Sequence, residues 1–173
     1  MTILELKNQG YKAVRIGGLE YGSELSEREA QYARRFRQDT LVGSMVTLII
    51  MAITAIFPIV IACVTPESDP PIMKYLVVGF IVAMSLLMII CVLLRSFGPK
   101  KVAHAIVITK YSRASRSRYS ATPVYFADVY QSYPNKVYAR NVQLYCTAYD
   151  EINIGDNVAV VKSIVGGSAY REE

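Results

Sequence analysis

Two long stretches of this 173-residue chain, residues 41–64 and 75–94, contain no Asp, Glu, Lys, Arg or His. Proton relays, ion sites and transport pathways need ionisable or clustered polar groups at depth, so this absence argues against transport by a single copy of the chain. Histidine is almost missing. His104 stands alone in an apolar stretch and reads as structural, which leaves no His–nucleophile pair and no ligand set for a structural zinc. The three cysteines, Cys63, Cys91 and Cys146, read as unpaired small apolar residues, because Cys63 and Cys91 fall toward opposite ends of an antiparallel hairpin. No P-loop or dinucleotide fingerprint is present. The acids of the C-terminal part, Asp128, Asp150, Glu151, Asp156, Glu172 and Glu173, fall at turns and the terminus and make no evident acid–base pair. These gaps predict a protein that is not an enzyme and takes no cofactor or metal.

What is present is hydrophobicity in two blocks. The chain is 53% hydrophobic, with a mean hydropathy of +0.28. As helices rising about 1.5 Å per residue, residues 41–64 and 75–94 each reach across a hydrocarbon layer of roughly 30 Å. They predict a transmembrane hairpin joined by a short external loop, residues 65–74, that carries Glu67 and Asp69 among three prolines. No basic segment followed by a short apolar run opens the chain, so the first span is expected to serve as its own insertion signal. Arg34, Arg35 and Arg37 precede the first span, and Arg95, Lys100 and Lys101 follow the second. By the positive-inside rule both termini are expected in the cytoplasm of a cell with the hairpin in its inner membrane, with Lys74 alone opposing.

Within the spans, Gly43 and Thr47 lie four residues apart, as do Gly79 and Ala83. Small residues at this spacing let helices approach closely, either within the hairpin or against another chain. Two helices make a thin membrane domain, so other membrane subunits or self-association are expected partners beside lipid.

Residues 1–25 read as an irregular arm with several glycines. Ser26 and Glu29 match a capping box, which predicts an amphipathic juxtamembrane helix over 26–40 that runs on toward the first span. Its Arg34, Arg35 and Arg37 serve as a topology signal or meet anionic headgroups.

After Gly98 and Pro99 the pattern changes to short alternating stretches rich in Val, Ile, Tyr and Thr, which predicts strands over 102–109, 124–130, 137–139, 142–148 and 157–163, with a short sixth over 164–170. The Gly155-Asp156 pair introduces a buried strand. The order of these pieces, Ala103 to Ile108 opening the sheet and Gly155 to Val161 closing it, resembles small membrane-anchored β domains of uncharacterised bacterial families. The resemblance covers roughly the last 70 residues. It implies a small β fold and a bacterial origin, and no activity. Between the first two strands, residues 111–119 alternate Arg113, Arg116 and Arg118 with serines between flanking tyrosines. They read as a solvated hairpin loop or a contact for anionic lipid or a protein partner. Nucleic acid is not the expected ligand of a patch this small on a tethered domain.

The sequence therefore predicts a two-helix transmembrane hairpin followed by a small C-terminal all-β barrel or sandwich over 101–173. It predicts a non-catalytic accessory or scaffold subunit, with Gly43, Thr47, Gly79 and Ala83 as helix-packing positions and the six arginines as contacts. The alternatives are a homo-oligomeric channel or membrane-remodelling protein, and a tethered module binding lipid headgroups or nucleic acid.

Overall fold

The computed structural model describes residues 2–64, 71–114 and 123–172, with backbone alone at 58–59, 61–64 and 71–74. Residues 65–70 of the loop expected over 65–74, the side chains of Cys63 and Lys74, and Arg116 and Arg118 lie outside the described residues, and residues 71–74 of that loop are helical instead. The chain divides into two units, one of residues 1–36 and 99–173, the other of residues 37–98.

The first unit begins with helix α1 (Ile3–Asn8), strand β1 (Lys12–Val14) and a 3-10 turn at Ile16–Gly18. The arm expected to be irregular is thus ordered. A capping box starts α1: Thr2 Oγ1 accepts from the Glu5 amide, and the Glu5 carboxylate accepts from the Thr2 amide. The same four-residue pattern that marks Ser26 and Glu29 is therefore legible at Thr2 and Glu5.

Helix α2 (Glu27–Val64) gives its first turns to this unit, and helix α3 (Pro71–Phe97) belongs to the other. The sheet then follows as β2 (Lys101–Ala114), β3 (Pro123–Gln131), β4 (Val137–Leu144), helix α4 (Cys146–Glu151), β5 (Asn157–Lys162) and β6 (Gly167–Arg171). The strands form one sheet in the order β1-β4-β3-β2-β5-β6, antiparallel except for the parallel β1–β4 pair. This corrects the expected barrel or sandwich. The sheet curls enough to bring β6 against β4. Among the described residues no ladder joins the two, so β1 and β6 remain edges and the sheet is open.

Strand β2 produces the curl. It pairs with β5 over Lys101 to Ile106 and with β3 over Ile106 to Ala114, with a bulge between Val107 and Thr109. Only Ile106 has a partner on both sides, so the strand passes from one hairpin to the other at that point. The expected strand over 142–148 is also corrected. Strand β4 runs through Asn141, which takes φ +57, to Leu144, and Cys146 opens α4. Ala148 is buried but Cys146 is exposed, so the alternation that suggested a strand does not continue to the core. Lys110 holds the end of α4 by donating to the carbonyls of Tyr149 (3.1 Å) and Ile152 (2.8 Å).

The core lies inside the curl, built from Val102, Val107, Val129, Val142, Val158 and Val160 with smaller neighbours. Residues far upstream complete it. Leu19 is buried there, and Phe36 on α2 is fully buried with its ring edge-on to Tyr145 at 6.1 Å. Residues 99–173 alone would leave this core unfilled. Phe36→Ala should therefore lower the unfolding free energy by about 3–5 kcal/mol, and Phe36→Leu by clearly less. Denaturant titration of the detergent-solubilised chain, followed by far-UV circular dichroism, measures both.

Two helical stretches, Glu27–Phe57 of α2 and Tyr75–Phe97 of α3, are long and apolar enough to cross a membrane, and all but the first turns of α2 lie in the second unit. Their most apolar stretches are only 11% and 6% buried, which separates them from the core helices of a soluble protein.

Candidate functional site: the root of helix α2 on the sheet

The first turns of α2 are fastened to the sheet by three devices. The Ser26–Glu29 capping box starts the helix: the Ser26 amide donates to the Glu29 carboxylate at 2.7 Å, and the Glu29 amide donates to Ser26 Oγ at 3.3 Å. Two turns later Arg35 sends Nη2 to both carboxylate oxygens of Glu151, at 2.7 and 2.8 Å, and its guanidinium lies 5.4 Å from the Tyr170 ring centre. Phe36, next in sequence, enters the core.

The third device is the only histidine. His104 faces outward from β2 with its side chain 59% exposed, and each ring nitrogen meets a carboxylate. Nε2 lies 3.2 Å from Glu29 Oε1, and Nδ1 makes a short contact with Glu172 Oε1. Three distant parts of the chain thus converge on one imidazole: the start of α2, the first long strand and the C-terminal segment after β6. Only the imidazolium can donate to both acids at once. A structural histidine in an apolar strand was the sequence expectation, but strand alternation between Ala103 and Ala105 turns this side chain outward.

Burial alone would lower the His104 pKa, but hydrogen bonds and charge from Glu172, then Glu29, outweigh it and raise the pKa above the ordinary value. For Glu29 burial works to raise the pKa, yet the Ser26 hydrogen bonds and His104 leave it lowered. The two carboxylates address opposite ring nitrogens, and no set of three or more metal-type ligands occurs among the described residues. Beside this cluster lies a cavity of about 200 Å³, bordered by His104, Tyr130, Gln131, Tyr133, Asn157 and Glu172.

The arm reaches the same region. The Glu20 amide donates to Gln131 Oε1 at 2.9 Å, and Gln131 Nε2 donates back to the Glu20 carbonyl at 3.2 Å, so a side-chain amide pairs with the arm as a strand would. The Gly22 amide donates to the Val102 carbonyl at 3.2 Å, along the part of β2 that β3 does not reach.

The contact residues expected from sequence are used unequally. Arg34 is exposed, Arg35 is committed to Glu151 and Tyr170, and the Arg37 guanidinium sits 4.1 Å from the Phe97 ring centre. Arg113 is exposed on β2 beside the rings of Tyr111 and Phe126. Next to them buried Asp128 accepts from the Tyr111 hydroxyl and the Asn141 amide. Gly43, Thr47, Gly79 and Ala83 are all exposed along their helices, and a Cβ on Gly79 would meet nothing within 4 Å. Cys91 and Cys146 are free thiols. No protein-family model matches the chain, and no curated protein or solved structure is significantly similar to it.

The His104 cluster gives a pH dependence with a definite sign. A pKa raised in the folded state contributes stability that is complete below the unfolded value, about 6.5, and is lost as pH rises through the folded value. The lowered Glu29 pKa contributes stability above its unfolded value that is lost as pH falls through the folded one. His104→Gln should therefore cost up to about 1 kcal/mol in mildly acid solution, where the exposed imidazolium is charged between its two carboxylates, and almost nothing well above the folded His104 pKa. Unfolding free energies of both proteins across pH measure this, and a difference that grows with rising pH would contradict it.

Proposed function

We propose that the protein is a non-catalytic, membrane-spanning accessory or scaffold subunit whose sheet unit serves as a docking module at the cytoplasmic face. The observation that carries this reading is the outward-facing apolar surface of the second unit. Val42, Val46, Phe57, Leu76 and Phe80 are each at least 60% exposed. A surface of that extent demands cover by hydrocarbon or by other helices. The arginines and lysines at both ends of the hairpin support an orientation with the sheet in the cytoplasm, expected as the inner membrane of a bacterium. The exposed small residues Gly43, Thr47, Gly79 and Ala83 support contact with helices of other subunits, since they lie on open faces of their own helices. The tyrosines and arginines of the sheet supply residue types that are enriched at protein interfaces.

Native mass spectrometry of the gently solubilised protein from its own host tests the reading. Reproducible foreign subunits are expected. A single species at an integer multiple of 19.3 kDa would replace the accessory reading with a homo-oligomeric pore or scaffold. Gly79→Leu combined with Ala83→Leu should remove the foreign subunits while leaving the far-UV circular dichroism of the chain unchanged.

A further inference from the structure

The turn between β5 and β6 is built against the usual chemistry of a hairpin tip. The Ser163 amide donates to the Gly166 carbonyl at 2.9 Å, and Lys162 pairs with Gly167, so Ile164 and Val165 occupy the tip. Gly166, at φ +81, supplies the left-handed residue the turn needs. Gly167 lets the chain pass close to Val161: a Cβ there would stand 2.4 Å from its carbonyl oxygen. The turn geometry is thus met by the glycines and asks nothing apolar of the tip. Hairpin tips are ordinarily occupied by Gly, Asn, Asp or Ser. Here two β-branched aliphatic residues project, Ile164 60% exposed and Val165 38%.

A second anomaly lies at the base of the same turn. Lys101 of β2 and Lys162 of β5 are directly opposed in the ladder, where like charges repel. Together with Pro99, Ser163 and Ile164 they border a cavity of about 310 Å³. Lys162 also lies 5.4 Å from the Tyr21 ring centre. Paired cations beneath an aliphatic tip match a membrane interface, with phosphates at the level of the lysines and acyl chains at the level of the tip. Chain continuity gives the same location. Pro99 follows Phe97, the last residue of α3, by two residues, a reach of at most about 7 Å. If α3 spans the bilayer, a surface that includes Pro99 starts at the headgroup layer.

We propose that the β5–β6 turn inserts Ile164 and Val165 into an anionic phospholipid surface, with Lys101 and Lys162 on the headgroup phosphates. The inference rests on the membrane-spanning reading above. It assigns the sheet unit a second attachment to the bilayer, separate from the root of α2.

The chain contains no tryptophan, so single tryptophans report without background. The full chain carrying Val165→Trp, or Ile164→Trp as a second variant, is reconstituted in phosphatidylcholine–phosphatidylglycerol vesicles with a shallow nitroxide lipid or a deep brominated lipid. Ile154→Trp is the aqueous control. It is 64% exposed and lies three residues before Asn157, where β5 begins about 17 Å along the strand from Lys162. Leu87→Trp in α3 reports the span itself.

The tip tryptophans should show blue-shifted emission and several-fold stronger quenching by the shallow nitroxide than Ile154→Trp. The excess should fall several-fold in pure phosphatidylcholine, or with Lys101→Gln and Lys162→Gln. Tip tryptophans that behave like Ile154→Trp, while deep bromines quench Leu87→Trp, would overturn the insertion alone. Tip quenching indifferent to lipid charge and to both lysines would overturn the assigned phosphate contact. An unquenched Leu87→Trp would remove the spanning reading and the insertion with it.

Discussion

The burial of Phe36 in the sheet is the contact on which the rest of the architecture depends. Phe36 ends the first segment of the sheet unit, and Arg37 is the first residue of the apolar unit. One continuous helix therefore has to satisfy two surroundings. Before that junction it follows the rules of a soluble core, with an aromatic in a hydrophobic cluster and a capped start. After it, aliphatic side chains face outward. The sheet is not self-sufficient beneath this helix. Its core residues are mostly valine and alanine, small for a curled sheet, and the large side chains that fill it include Phe36 and Tyr170. Removing the helix root would leave a cavity that valines cannot close.

A second dependence follows from the length of β2. With β5 beside its first half and β3 beside its second, the strand leaves part of its own edge unpaired. Unpaired backbone in a buried setting is costly. The N-terminal arm meets that need: Gly22 bonds to Val102, Glu20 pairs with Gln131, and Leu19 enters the core between them. Strand β1 adds the parallel edge beside β4. Segments on either side of the helical hairpin thus build one sheet, and its formation must wait for both.

Helices α2 and α3 and most strands are legible in the sequence because their signals are local. Uncharged runs mark α2 and α3, and alternation of Val, Ile and Tyr marks β2, β3 and β5. The openness of the sheet is not legible, since it depends on where β2 changes partners, a non-local event at Ile106. Helix α4 is missed because Cys146 and Ala148 mimic a strand over two periods. Lys110, far away in sequence, supplies the carbonyl contacts that end the helix. The order of the arm was available in Thr2 and Glu5, whose spacing repeats that of Ser26 and Glu29. The partners of His104 were not, because Glu29 and Glu172 lie 75 and 68 residues away. Arg35 is the converse case. Sequence reads it as one charge in a topology cluster, whereas its Nη2, placed between both carboxylate oxygens of Glu151, has a defined geometry that a topology signal does not require.

The composition of the outward faces bears on what covers them. Lipid is satisfied by any aliphatic surface and gains most from large side chains. A lone anchor would therefore have no use for glycine or alanine where α3 is open, because each reduces the apolar area offered to hydrocarbon and glycine also weakens the helix. Gly43, Gly79 and Ala83 are small at exposed positions flanked by Val, Met and Phe, which makes shallow depressions in otherwise bulky faces. Depressions of that kind add nothing to lipid solvation but admit the close approach of another helix, where dispersion contacts replace those to acyl chains. The proposed role as an assembled subunit rests on this composition, with bulky side chains suited to a bilayer and small residues suited to a neighbouring helix.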